Sequence, residues 1–251
     1  MTLSELLLLA GVGIVAGWMN VMAGGGSLLS VPVMVFLGLP GPVANGTNRI
    51  AILAQNAIAV ATFRGHGFSD FRLSLSLAAA AVPGAVAGAM LGTRLEGAWF
   101  NRIVALIMIA VMVVMLLPAR QAATQTVGHV APTRPRLLWG HALMVGAGFW
   151  GGFIQIGVGF MLMPILHRVL GLDLVRVNMH KVFIVLIYTA FALAVFASRV
   201  ELVWVAGLFL AIGNAAGGWL GAHTSVRKGD RWIRMALFVI LSVFIVRLLL
   251  S

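Results

Sequence analysis

Ten apolar runs dictate what this chain can become. They fall at roughly 6–22, 28–38, 43–63, 73–93 and 99–117, and then at 137–156, 160–170, 176–198, 202–222 and 232–250. Crossing a hydrocarbon layer of about 30 Å takes a helix of about 20 residues, which eight of the runs approach and two do not. Of the 251 residues 61% are hydrophobic and only 9% charged, with a mean hydropathy of +1.07. A soluble domain carries roughly 25% charged residues. The expected fold class is therefore an all-α polytopic membrane protein with about 8 spanning helices in 10 helical segments. The first run follows MTLSE with no basic stretch, so it is expected to persist as a helix rather than to be cleaved as a signal peptide.

The second run is short because the chain breaks before it. Gly24, Gly25 and Gly26 stand between two apolar segments, and each costs a helix about 1 kcal/mol relative to alanine. Ser27 offers a side-chain cap for a new helix. The segment from Leu28 to about Gly38 then reads as a broken or re-entrant element. Irregular backbone at membrane depth survives only where protein buries it or a wet cavity lies beside it.

The pattern of five runs, a polar stretch and five runs has the marks of a duplication. Gly84, Gly88, Gly92 and Arg102 recur as Gly213, Gly217, Gly221 and Arg231, an offset of 129. Gly25, Ser27 and Pro32 recur as Gly157, Gly159 and Pro164, an offset of 132, and Asn45 in VANGTNR recurs as Asn178 in RVNMHK. This divides the chain into a first transmembrane repeat, 1–117, a linker, 118–136, and a second repeat, 137–251. An odd number of crossings per repeat inverts the second copy relative to the first. Eleven basic residues (Arg64, Arg72, Arg120, Arg134, Arg136, Arg168, Arg176, Arg227, Lys228, Arg231 and Arg234) then fall on one side, against Arg94, Arg102, Arg199 and Arg247 on the other. The basic side should be cytoplasmic, which puts the linker inside and both termini in the periplasm of a bacterial inner membrane. Trp99, Trp139, Trp204 and Trp232 lie near segment ends, as interfacial anchors do.

The 17 basic and 6 acidic residues give a net charge of +11, which in this setting fits topology and lipid headgroups rather than nucleic acid, for which no motif exists. The absence of cysteine removes thiolate metal sites, disulfides and cysteine nucleophiles. There is no HExxH, GxSxG or Walker loop, so no enzyme and no cofactor is implied. Thirteen methionines are scattered over apolar runs, where packing explains them better than soft-metal binding.

Inverted repeats place their site where the broken helices meet. Arg49 follows Asn45, Thr47 and Asn48, and Lys181 follows Asn178 and His180, so each half brings one cation to the start of its long third segment. Glu5, Asp70, Glu96, Asp173, Glu201 and Asp230 all sit near segment ends, which leaves an anionic substrate as the expected partner. The opposing reading has both cations snorkelling to headgroups. Amides freed at Gly24, Gly25, Gly26 and Ser27, and at Gly157 and Gly159, would add positive polarity for an anion; alternatively these glycines only let helices cross closely. Asn20 and Gln155, just before the breaks, either donate to a substrate oxygen or bridge helices. His180 could couple transport to protons or act as a plain donor. The 84/88/92 and 213/217/221 glycines are expected to be packing seams.

AGGGSLLSVPVMVFLGLP followed by VANGTNR resembles the TauE/SafE family of sulfite and organosulfonate exporters, also called 4-toluene sulfonate uptake permeases. The family pattern is a glycine-rich break, here Gly24 to Gly26, a proline in the short segment, here Pro32, and an A-x-G-T-[SN] run, here Ala44 to Asn48 with Asn45 intervening. The second copy departs from it: IQIGVGFMLMP lacks the triple glycine and VNMHK replaces the Gly-Thr run. The resemblance implies an exporter of small sulfur-containing or carboxylate anions such as sulfite, sulfoacetate or other sulfonates, working by alternating access. An anion channel is the alternative, and assembly as a homodimer stays open.

Overall fold

The computed structural model describes residues 1–95, 97–116 and 133–227. Every regular element among them is helical: α1 (Leu3–Ala23), α2 (Ser27–Phe36), α3 (Gly41–Gly65), α4 (Phe71–Gly92), α5 (Gly97–Leu116), α6 (Arg134–Phe153), α7 (Val158–Pro164), α8 (Leu174–Arg199) and α9 (Trp204–Arg227). A π-helical turn, Ile165–Val169, continues α7 past Pro164, whose ring nitrogen has no N–H to donate to the regular ladder. Four of the described helices, α1, α4, α8 and α9, are both long and apolar enough to cross a membrane. The chain is a polytopic helical membrane protein. The expected last segment at 232–250, nearly all of the linker, and Glu96, Asp230 and Trp232 lie outside the described residues.

The acidic residues explain where helices start. Thr2 and Glu5 form a capping box on α1, Asp70 accepts from Leu73 N at the head of α4, and Asp173 accepts from Val175 N and Arg176 N at the head of α8. Ser27 departs from the expected capping role. The N-cap of α2 is Gly26, without a side-chain hydrogen bond, and Ser27 is already helical, so its hydroxyl is free to face α3.

Glycine seams set the packing. Gly13 and Gly17 of α1 lie against Leu210 to Asn214 of α9, while Gly213, Gly217 and Gly221 lie against Ala10, Ile14, Trp18 and Val21; a methyl group at these positions would strike the facing helix, mostly at its backbone. α4 and α6 meet in the same manner, with Gly84, Gly88 and Gly92 against Val145, Phe149 and Phe153, and Gly148 and Gly152 against Ala81 and Ala85. In both pairs residue numbers rise together, so the partners are parallel. Thr47 with Val203 and Gln55 with Asn214 make α3 parallel to α9. Ser74 with His180 and Gly92 with Phe196 make α4 parallel to α8. α3 opposes α8, since Gly46 meets Phe196 while Phe63 clusters with Met179 and Val182. Thus α1, α3 and α9 point one way and α4, α6 and α8 the other. Among the described helices, α1, α3 and α4 thus run opposite to their sequence counterparts α6, α8 and α9.

The short elements double back. α2 leaves the break beside Ala16 and Asn20 of α1 and finishes where α3 starts and α4 and α8 end. Its 10 residues rise about 15 Å, half the hydrocarbon thickness. The turn after α7 brings Leu170 against Gly140 and Gly171 near Arg136, at the start of α6. Of the described basic residues, Arg64, Arg72, Arg134, Arg136, Arg168 and Arg176 therefore gather at one end of the bundle, and Arg94, Arg102 and Arg199 at the other.

Candidate functional site

The two breaks meet in the middle of the bundle. Gly24, in the left-handed conformation with φ 77°, lies against Gly159 so closely that a Cβ on either would overlap the other's backbone. Gly24, Gly25, Gly26 and Ser27 are all buried by protein. The second break turns at Gln155, whose φ of 64° makes it the positive-φ residue other than glycine among those described. Ile156 N bonds back to Ile154 O at 2.7 Å across it, a three-residue turn of the rare, strained class.

The strain holds because the Gln155 side chain is engaged at both ends. Its Oε1 accepts from Arg49 Nη1 at 3.2 Å, and its Nε2 donates to the Tyr188 hydroxyl at 3.2 Å. Arg49 is 0% exposed. It donates from Nη1 to Gly151 O at 3.0 Å and from Nη2 to Gly152 O and to Asn45 Oδ1, while its guanidinium lies 4.5 Å from the Phe196 ring centroid. Asn45 donates to Phe153 O at 2.9 Å. These carbonyls belong to the last turn of α6, where they have no helical partner and carry the negative end of the helix dipole.

The other cation does the converse. Lys181 of α8 donates to Val21 O at 2.7 Å, in the last turn of α1, and to Asn178 Oδ1 at 2.8 Å; Asn178 in turn donates to Ser225. Each half thus supplies a buried cation that closes the broken helix of the opposite half. Neither side chain snorkels to the surface. The partner expected to be an anion is, in the folded chain, at least partly the open end of a helix.

The remaining candidates separate into distinct groups. Asn48 accepts from Ser30 at 2.6 Å and donates to Ser27 at 3.2 Å, tying α3 to the re-entrant α2. Thr47 Oγ1 accepts from Val203 N just ahead of α9. Asn20 donates to Gln55 Oε1 at 3.2 Å, as does Asn214 at 3.4 Å, so Asn20 and Gln155 both bridge helices. His180 pairs with Ser74 at 2.7 Å, apart from the cations. Gly157, φ 72°, opens on an apolar groove with Ile103, Leu106 and Ile107 of α5. Gln55, Asn214, Ser30 and Tyr188 were not among the sequence candidates. Lone amides inside apolar runs are a legible warning of buried hydrogen bonding, and Gln55 and Asn214 both carry it. Among the buried described residues there are many amides and hydroxyls, Arg49 and Lys181, and no carboxylate. The Nε of Arg49 and the Nε2 of Gln55 are buried without a hydrogen-bond partner.

The family model described as Sulfite exporter TauE/SafE matches residues 9–248, nearly the whole chain. The chain belongs to the TauE/SafE family. Among its curated relatives is a "Probable membrane transporter protein ORF9" of a Sinorhizobium species, 25% identical over 94% of this chain and 88% of its own length. "Probable membrane transporter protein YfcA" of Escherichia coli K12 is 23% identical, with 95% and 87% covered, and a "Probable membrane transporter protein" of Xylella fastidiosa 9a5c is 27% identical, with 90% and 87% covered. No solved structure matches. Within the matched span, Gly24 to Gly26 form the first break, and Asn45, Thr47 and Asn48 of α3 each hydrogen-bond to a neighbouring element.

Proposed function

We propose that this chain is a secondary carrier of small sulfur-containing anions, sulfite, sulfoacetate or related sulfonates, which it exports across the bacterial inner membrane by alternating access. The observation that carries the reading is a fully buried arginine, with a donor still unpartnered, in a centre whose described buried groups include no carboxylate. A cation carrier would need hard, charged oxygen ligands there. The substrate would take up Arg49 together with Asn45, Gln155 and the amides around Gly24 to Ser27, displacing the carbonyls of α6; Asn48, Asn178 and Lys181 would face it from the flanking elements. The family's description as a sulfite exporter favours this class of anion. The basic end of the bundle would face the cytoplasm, with both termini in the periplasm.

Purified protein screened by thermal shift against sulfite, sulfoacetate, taurine, thiosulfate and small carboxylates tests it. An anion at 100 times its Kd stabilises the folded chain by about 2.7 kcal/mol, so the substrate class should stand out as a raised melting temperature. Saturable counterflow of that anion in proteoliposomes is then expected. Flux without counterflow would make the protein a channel, and a response to carboxylates alone would move the substrate class.

A further inference from the structure

At the end of the bundle where α3 begins, a cavity of about 590 Å³ is lined by the Leu39 to Val43 turn, Thr93, Asn101, Arg199 and Val200. Phe196 stands one turn of α8 before the lining residues Arg199 and Val200. The ring is buried and lies 4.5 Å from the Arg49 guanidinium. The positions facing it from α3 and α4 are Gly46 and Gly92, where a Cβ would come within 2.9 and 3.2 Å of its atoms. Their neighbours Val43 and Thr93, and Arg199 one turn past Phe196, line the cavity. A large aromatic side chain bordered by two glycines therefore lies beside both a vestibule that carries Thr93, Asn101 and Arg199 among apolar residues and a buried cation with a free N–H.

We propose that this vestibule is the anion's port on the Arg49 side and that Phe196 is its gate, the ring swinging aside to expose the guanidinium. The inference rests on the transport reading for its substrate but not for its geometry. While closed, the ring occupies the guanidinium face by a cation–π contact, which an arriving anion must replace. The paired glycines give the ring bare backbone on two sides, while Ala89, Ala192 and Leu202 complete its surroundings.

The chain has no cysteine, so single introduced cysteines report cleanly. Asn101→Cys sits at the mouth. Thr189→Cys lies on the stripe of α8 shared with Ala192 and Phe196, two turns deeper, at a site that is fully buried. Reconstituted protein is labelled with the sulfonate-bearing ethyl methanethiosulfonate, added from outside. Asn101→Cys should react fast whatever stands at 196. Thr189→Cys should react slowly behind Phe196 and on the order of tenfold or more faster behind Phe196→Ala, since a state open in about a tenth of molecules or fewer becomes open in all. An unchanged Thr189→Cys rate, or an unreactive Asn101→Cys, overturns the proposal. Where Phe196→Ala does not fold, Phe196→Leu decides in the same way, a faster rate supporting the gate and an equal rate removing it. Labelling needs no transport. Gated labelling in a protein that moves no anion keeps the port and removes the transport reading, whereas transport with ungated labelling removes the gate alone.

Discussion

Three glycine-to-alanine substitutions separate backbone strain from helix crossing at the central break. Gly38 has φ 90° and open space around it, so Gly38→Ala adds only the left-handed penalty of about 1–2 kcal/mol. Gly159 has no positive φ but lies against the Gly24 backbone, so Gly159→Ala adds only overpacking, about 1–3 kcal/mol. Gly24 carries both burdens, with φ 77° and the same contact seen from the other side, so Gly24→Ala should cost about 2–5 kcal/mol. At about 2–4 °C per kcal/mol for a chain of this length, melting temperatures should fall by about 2–8 °C, 2–12 °C and 4–20 °C respectively. Tryptophan fluorescence during heating of the detergent-solubilised protein reads all three. Because Gly24 and Gly159 share one contact, the double variant should lose less than the two singles combined. Equal losses for Gly24→Ala and Gly38→Ala, or none for Gly159→Ala, would mean that the breaks do not cross backbone to backbone.

The other predictions concern the groups around Arg49. Arg49→Lys keeps the charge but not the planar fork with which Arg49 would grip an anion's oxygens; losing one charge-assisted bond to the anion, about 1.5–3 kcal/mol, should weaken anion affinity by about 10- to 150-fold in the thermal-shift titration. Arg49→Gln and Lys181→Gln should each weaken anion binding strongly, and wild-type affinity in both would exclude the two cations from the site. Tyr188→Phe strands the buried Gln155 Nε2, a cost of about 1–3 kcal/mol that should lower the melting temperature by about 2–12 °C.

Much of this architecture is legible in the residues themselves. Among the described residues the apolar runs gave the helices to within a few residues, the glycine triplet located the first break, and the 84/88/92 and 213/217/221 spacings marked the seams, because helix length, backbone freedom and small-residue faces are local properties. The partners of Arg49 and Lys181 were not legible. Carbonyls at a helix end become acceptors only once tertiary structure brings a donor from 102 or 160 residues away, and no residue type signals them. The turn at Gln155 was hidden for a related reason: glutamine has no preference for positive φ, and long-range bonds from its side chain to Arg49 and Tyr188 help hold it there. Ser27 read as a cap because its type is favoured there, but Gly26 made that position redundant and Asn48 claimed the hydroxyl.

The exchange of cations between the halves bears on how such a chain must be made. While only the first half has been synthesised, Arg49 is a charge in hydrocarbon without the α6 carbonyls and Gln155 that it donates to, and Val21 O lacks its Lys181 donor. Both debts are cleared when α6 and α8 arrive. A half expressed alone should therefore be handled as unfinished by the cell's quality control, and the two halves supplied as separate polypeptides should rescue one another.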